Sequence, residues 1–151
     1  MTNEEYTKAV DAGVWPSTSK VPIPEPALID ERGSITNLLL TPITSVADIS
    51  SVRGSVRANH YHRTDWHYTY VVHGKVLYFE RDIGDVSVPE PTAYASGQMF
   101  FTPPMREHAM LFAEDSVVMT FAKNVRNHEN HEADVVRVEF VTPAVAARYV
   151  P

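Results

Sequence analysis

Three histidines lie close together between two glycines in the middle of the chain. His60, His62 and His67 fall within the segment from Gly54 to Gly74, GSVRANHYHRTDWHYTYVVHG. Because a strand points residues i and i+2 to the same face, a strand through Asn-His-Tyr-His directs the imidazoles of His60 and His62 the same way. His67 opens the next β-like run, so a chain that turns back between the two runs adds a third imidazole. The spacing predicts a metal site.

A fourth histidine comes from a later pair of apolar runs. Residues 97–108, GQMFFTPPMREH, read as a short apolar strand, a Pro-Pro turn and His108 at the start of a second apolar strand. A lone histidine on an apolar strand is usually a structural residue, whereas four histidines placed in this way favour metal ligands. Imidazole ligands suit Zn, Fe, Cu, Ni or Mn rather than Ca or Mg.

The first segment resembles the first sequence motif of the cupin superfamily. The spacing matches position for position from Gly54 through the three histidines to Gly74. One departure is chemical, because cupins most often carry glutamate where this chain has His67. Imidazole in place of carboxylate changes both reach and charge, so His67 has the weakest case as a ligand. An all-neutral ligand set also leaves the full charge on the ion, which favours an anionic substrate or an enolate.

The second segment is similar to the second cupin motif through Gly97, Pro103 and His108. It departs from that motif at Met105, where glycine is usual, and at Phe112, where asparagine is common. The resemblance implies an all-β fold, a cupin (double-stranded β-helix or jelly-roll) barrel of the RmlC-like kind. It also implies a divalent transition metal (Zn, Fe, Ni or Mn) held by the four motif histidines, His60, His62, His67 and His108.

The composition is that of one globular domain. The chain has 151 residues, 44% of them hydrophobic and 21% charged. A net charge of −6 argues against nucleic acid as a partner, and the absence of cysteine excludes disulfides and thiolate ligands. The N-terminus has no basic start or apolar core of a signal peptide, and no apolar run approaches the ~20 residues of a membrane span. We therefore expect a cytoplasmic protein without a membrane partner.

The N-terminal part differs from the rest of the chain. Thr2 and Glu5 have the spacing of a capping box, which predicts a short helix over residues 3–12. Four prolines within residues 15–30 exclude a helix or a central strand there, so we expect an extended arm on the surface or on a partner subunit. The chain then divides into the helix and proline-rich arm (1–29), the cupin barrel (30–142) and a C-terminal tail with one helical turn (143–151).

Short β-rich runs separated by turn residues indicate a sandwich or barrel. The polar stretch 123–132 reads as a surface loop, which makes His128 and His131 solvated residues. Predicted strands cover residues 34–40, 46–52, 55–62, 68–73, 75–81, 86–88, 98–102, 107–112, 116–123 and 135–141.

Two further residues share strand parity with the histidines. Thr69 lies on the predicted face of His67, and Arg106 on that of His108, so both are candidate catalytic residues. A guanidinium there can bind a substrate carboxylate or phosphate in a bidentate contact, although a surface arginine near a turn fits the pattern equally well.

The wider sequence is loosely similar to cupins grouped with deoxysugar epimerases and ketoisomerases, through residues 30–33 (DERG), 59–62 (NHYH) and 132–138 (EADVVRV). This implies isomerisation or epimerisation of a small or sugar-derived substrate that is anionic or contains a carbonyl. A base, histidine or tyrosine, removes a proton next to the carbonyl, and a bound cation holds the enolate oxygen. Several sugar-nucleotide cupins instead use the motif histidines as the base without a metal.

Two other functions stay open at this point. One is a mononuclear non-heme iron dioxygenase, in which the metal activates both substrate and oxygen. The other is a non-catalytic cupin that binds a small ligand. The resemblance also implies a homodimer formed by strand exchange, in which the proline-rich arm takes part.

Overall fold

A computed structural model describes the chain from Met1 to Pro151. The chain forms two compact units, residues 1–42 and residues 43–151. None of its helices has the length and apolar character that a membrane-spanning helix needs.

The first unit opens with helix α1, Asn3–Asp11. The hydroxyl of Thr2 accepts a hydrogen bond from the backbone N–H of Glu5 at 3.2 Å, and the Glu5 carboxylate accepts one from the N–H of Thr2 at 2.7 Å. These reciprocal bonds form a capping box and pair amides that would otherwise lack a partner in the first turn. The predicted N-terminal helix is confirmed.

The proline-rich segment after α1 folds back along the helix. The Tyr6 hydroxyl donates to the carbonyl of Thr18 at 2.7 Å, and the Asn3 amide donates to the carbonyl of Pro22 at 2.6 Å. A small antiparallel hairpin follows, made of β1, Leu28–Asp30, and β2, Gly33–Ile35. The strand predicted at residues 34–40 therefore ends at Ile35.

The second unit contains two antiparallel sheets packed face to face. One has the strand order β3-β10-β5-β8 and the other β11-β4-β9-β6-β7. This jelly-roll arrangement confirms the predicted all-β fold. The strands are β3 (Ser45–Ser51), β4 (Val56–His62), β5 (His67–His73), β6 (Lys75–Asp82), β7 (Thr92–Ala95), β8 (Met99–Thr102), β9 (Arg106–Phe112), β10 (Ser116–Ala122) and β11 (Val135–Arg137).

Two local predictions in this unit are wrong. Residues 86–88 form no strand, and Val86 is almost fully exposed. The surface loop predicted at 123–132 gives way to helix α2, His128–Asp134, whose first turn is capped by the side chain of Asn127. At seven residues this helix is too short to show an apolar period in the sequence. A last helical turn, α3, Pro143–Ala146, lies where the sequence predicts one.

Alternate residues of β9 pack on opposite sides of its sheet, as strand geometry requires. Met110 and Phe112 lie in the core between the sheets with Tyr78 and Phe100. Ala109 and Leu111 pack on the outer side, under the C-terminal residues Phe140, Val141, Val145 and Ala146. The histidine of β9, His108, has the parity of Met110 and therefore faces the interior.

A bulge in β4 decides which way its histidines point. Ala58 pairs with Ala109, and His60 pairs with His108, so Asn59 is the extra residue between them. In a regular ladder without the bulge, His60 would oppose Glu107 on the outer face. Asn59 has a left-handed φ of 53°, which asparagine tolerates better than most residues. Its amide also donates to the carbonyl of Val141 at 3.0 Å and accepts from that residue's N–H at 3.1 Å.

We expect Asn59→Ala to lower the free energy of unfolding by about 2–3 kcal/mol, since it leaves a buried amide and carbonyl unpaired and keeps a Cβ in the left-handed region. Asn59→Gly removes the same hydrogen bonds but has no Cβ to strain the left-handed backbone. It should therefore destabilise the protein less than Asn59→Ala, by about 0.5 kcal/mol or more. Urea denaturation of both variants measures the difference. If glycine proved as costly as alanine, the left-handed backbone would not limit stability here.

Candidate functional site

The structure brings the four predicted histidines together inside the sandwich. His60 and His62 lie on β4, His108 on the neighbouring strand β9, and His67 on β5 of the opposite sheet. The ring centroid of His60 lies 4.8 Å from the centroid of His62 and 4.8 Å from that of His108. The centroid of His67 lies 5.3 Å from that of His62. The predicted convergence is confirmed.

Burial keeps these imidazoles neutral. Loss of solvent lowers the pKa of His60 and of His108 to about 3, with the neighbouring imidazoles as the next cause. Burial also lowers the pKa of His62 and of His67, with the positive charge of Arg126 as the second cause for both. At neutral pH each ring therefore offers a lone pair on one nitrogen.

Hydrogen bonds fix the tautomers of two of the histidines. The Nδ1 of His62 lies 3.1 Å from a carboxylate oxygen of Asp134, and the Nδ1 of His108 lies 3.0 Å from the carbonyl oxygen of Arg106. Both oxygens can only accept, so both Nδ1 atoms carry the proton. The lone pairs are then on Nε2, the arrangement found in histidines that ligate metals or act as bases.

A guanidinium lies among the imidazoles. The Nε of Arg126 donates to the Asp65 carboxylate at 2.6 Å. One terminal nitrogen, Nη2, lies 3.3 Å from His62 Nε2 and 2.9 Å from His67 Nδ1, so it donates to both rings. The Asp65 side chain is only 2% exposed, which makes its pairing with Arg126 obligatory in practice. The structure thus places a fixed positive charge at the centre of the site.

Arg126 and Asp134 are functional candidates that the sequence analysis missed. Arg126 lies in the stretch interpreted as a surface loop, and Asp134 ends helix α2. The interpretation of His131 as a solvated loop residue is wrong, because its ring centroid is 5.9 Å from that of His60 and 5.7 Å from that of His62. Only the Asn127 cap before α2 gives a sequence signal for this region.

A cavity of about 450 Å³ opens beside the cluster. Its lining includes two arginines, Arg63 and Arg126, together with His131 and Asp134 of helix α2. This volume lies in the range of small-molecule sites. Asp65 also lines it, so a ligand in the cavity would meet two guanidinium groups, two carboxylates and the imidazole of His131.

The two predicted catalytic residues lie in different surroundings. Thr69 is fully buried on β5, and its hydroxyl has no hydrogen-bond partner. Arg106 is paired with two carboxylates, Glu80 at 3.2 Å and Asp82 at 2.5 Å, so its charge is already balanced. Their catalytic roles stay predictions.

Three of the histidines lie close enough to share one metal ion after a small movement of their rings. The nearest ligand atoms of His60, His62 and His108 all lie within 4.8 Å of one another. Nitrogens bound to one tetrahedral ion at 2.0–2.1 Å would be roughly 3.4 Å apart, so the rings would have to close on an ion. A second group, His62, Asp65 and Asp134, has similar spacing. The predicted metal stays a prediction.

The chain matches no protein-family model and no curated protein sequence. It is similar in structure to a double mutant of the 3,4-ketoisomerase QdtA from Thermoanaerobacterium thermosaccharolyticum, with 19% identity and a TM-score of 0.61 over 85% of this chain and 95% of that one. The RmlC epimerase of Mycobacterium tuberculosis matches with 17% identity and a TM-score of 0.63 over 85% and 70% of the two chains.

A third match is the capsular polysaccharide assembling protein CapF from Staphylococcus aureus. It is 26% identical, with a TM-score of 0.53, over 83% of this chain but only 37% of CapF. The ketoisomerase and epimerase neighbours are cupin-fold proteins. The chain therefore has the cupin fold, of the RmlC-like kind that its two motifs predict.

The pKa shifts predict how the cluster titrates. We expect His108 to remain a neutral Nδ1–H tautomer from pH 7 down to about pH 4, because burial lowers its pKa from 6.5 to about 3. Long-range ¹H–¹⁵N correlation spectra report both tautomer and charge. The unfolded chain binds the proton first, so stability should fall as the pH drops from 6.5 toward 3. Protonation of His108 above pH 6 would contradict the burial argument.

Proposed function

We propose that this protein isomerises or epimerises a keto sugar carried on a nucleoside diphosphate. The observation that carries the proposal is the Asp134–His62 pair lying directly beside the Arg126 guanidinium. The structural neighbours support the same class. They include a dTDP-4-dehydrorhamnose 3,5-epimerase from Sulfolobus tokodaii and a QdtA variant in complex with TDP-4-keto-6-deoxyglucose.

His62 is the proposed base. Asp134 holds its Nδ1 proton, which leaves Nε2 to accept a proton from the carbon next to the keto group. The carboxylate also stabilises the imidazolium that forms, as in other carboxylate–histidine pairs. Asp134 is itself fixed by the N–H of Thr64 at 2.9 Å and by its hydroxyl at 2.8 Å. Burial lowers the pKa of His62, and this is offset during the reaction because the enolate forms next to the imidazolium.

Arg126 is the proposed partner of the enolate oxygen. Its Nη2 lies 3.3 Å from the Nε2 of His62. The guanidinium can therefore donate to the keto oxygen of a substrate while His62 contacts the C–H next to the carbonyl. Substrate binding would move this long hydrogen bond from the imidazole to the oxygen and free the lone pair. The other terminal nitrogen, Nη1, takes no part in these contacts and is available to the ligand. Charge stabilisation of this kind acts strongly in a buried site.

The return of the proton decides the product. Isomerisation requires delivery to the carbon of the former carbonyl, which the His62 imidazolium can perform, while the neighbouring hydroxyl passes its proton to the enolate oxygen and becomes the new keto group. Epimerisation requires delivery to the carbon that lost its proton, from the opposite face, and therefore needs a second donor across the sugar ring from His62. The cavity lined by Arg63 and Arg126 is the proposed place for the diphosphate.

A resident metal fits this site in spacing but competes with Arg126 for the histidine lone pairs. His60, His62 and His108 would hold the ion, which would polarise the keto oxygen. Arg126, however, already donates to His62 Nε2 and to His67 Nδ1, which takes up the lone pairs that an ion would need. We therefore propose proton transfer without a resident metal.

The test is proton exchange in D₂O. With TDP-4-keto-6-deoxyglucose we expect deuterium to enter the carbon next to the keto group, in the presence of a chelator and without oxygen consumption. His62→Asn and Asp134→Asn should each slow this exchange about 10²–10⁴-fold, since they remove the base or the carboxylate that holds it. NMR and mass spectrometry follow the label.

His128→Asn is the matched control, because His128 is an exposed histidine on the same short helix as His131. It should exchange the substrate proton at the wild-type rate. Substrate-dependent oxygen uptake would instead identify a dioxygenase, and tight binding without any exchange would identify a ligand-binding cupin. Either outcome rejects the proposal.

A further inference from the structure

We propose that Arg126 is a built-in cation that keeps divalent metals out of the histidine cluster. Replacing it by a neutral side chain should then turn the cluster into a transition-metal site. The inference concerns what the site binds without substrate, so it goes beyond the proposed isomerisation and stands apart from it.

The first step is competition for ligand atoms. A metal needs the lone pair on His62 Nε2, because the Nδ1 of this ring carries the proton held by Asp134. That lone pair accepts a hydrogen bond from Arg126 at 3.3 Å. The Nδ1 of His67 accepts from the same Nη2 at 2.9 Å. One guanidinium nitrogen thus takes up two of the four imidazoles that the cupin motif supplies.

The second step is charge. A divalent ion among these rings would lie within a few ångströms of a guanidinium that cannot lose its proton. The four rings are neutral and do not offset this repulsion. The nearest carboxylates, Asp65 and Asp134, reduce this repulsion, but their oxygens are already engaged in hydrogen bonds. Asp65 accepts from Arg126 and from the N–H of Asn124 at 2.9 Å, and Asp134 accepts from Thr64 and His62.

The third step is that Arg126 is held in place. Its Nε is bonded to buried Asp65 at 2.6 Å, and its backbone N–H donates to the hydroxyl of Ser45 at 3.0 Å. Swinging the side chain out would leave a carboxylate that is 2% exposed without its cation. The free energy of metal binding would have to compensate for that unpaired carboxylate as well as for the displaced hydrogen bonds. A small rotation of the Arg126 guanidinium that keeps its hydrogen bond to Asp65, as the proposed substrate binding requires, avoids this cost.

The other two histidines, His60 and His108, are positioned so that they could bind a metal ion. His108 has its Nδ1 proton bound to a carbonyl, which leaves its lone pair on Nε2, and His60 lies next to both of the other rings. Removing the guanidinium would leave the neutral donor set His60, His62 and His108 within 4.8 Å. Such a set suits Ni²⁺ or Zn²⁺.

The experiment measures Ni²⁺ binding by isothermal titration calorimetry on the intact chain without substrate. Arg126→Gln should bind one Ni²⁺ roughly 100-fold more tightly than the wild type, because it removes the charge and frees both ring nitrogens. Arg126→Lys is the matched control, since it retains the positive charge, and should stay close to the wild type.

Two further variants keep the result interpretable. Arg126→Gln leaves Asp65 unpaired, which can destabilise the fold or add a carboxylate ligand. Asp65→Asn combined with Arg126→Gln removes that charge and should show the same gain in affinity, with circular dichroism confirming a folded chain. Adding His60→Ala to this double variant should return the affinity to the wild-type level, which assigns the ion to the cluster.

Tight Ni²⁺ binding by the wild type, equal to that of Arg126→Gln, would overturn the inference. So would weak binding by every folded variant. Neither result depends on turnover, because no substrate is present. Failure of the isomerase proposal appears separately, as the absence of deuterium exchange in the wild type.

Discussion

The site depends on one buried ion pair, that between Asp65 and Arg126. A guanidinium inside a protein must have acceptors, and here one carboxylate and two neutral imidazoles supply them. The same positive charge adds to burial in lowering the pKa of His62 and of His67. The neutrality of those two rings, the direction of their hydrogen bonds and the charge that meets a ligand are therefore linked. A change to Asp65 would act on the histidines through Arg126, although Asp65 itself holds no proton of the proposed reaction.

Backbone geometry places this pair among the histidines. The extra residue Asn59 turns His60 and His62 from the outer face of the sheet to the interior, and two hydrogen bonds to Val141 hold the bulge. The carbonyl of His62 also accepts from the N–H of Met105, which joins β4 to the turn before β9. The strands that carry the site are thus tied together on both sides of it. Such rigidity is what a preorganised proton-transfer site requires.

Much of the fold and the four histidines could be predicted, because strand periodicity and motif spacing are local properties of the sequence. Even the departures from the motif have local reasons. Met105 adopts the left-handed φ of 57° for which glycine is the usual residue, and Phe112 is fully buried in the core. Arg126 and Asp134 could not be predicted, because their partners lie 59 to 72 residues away in the sequence and only the fold brings them together.

The histidine at position 67 leaves the ion pair between Asp65 and Arg126 without a second carboxylate. A glutamate there, as in most cupins, would add a second negative charge beside Arg126, which Asp65 already pairs. The His67 imidazole instead accepts the guanidinium hydrogen bond at 2.9 Å without adding negative charge. Arg126 is therefore held by one carboxylate and by the neutral imidazoles of His62 and His67. In the proposed reaction, a guanidinium hydrogen bond that the imidazoles accept would pass to the keto oxygen and stabilise the enolate.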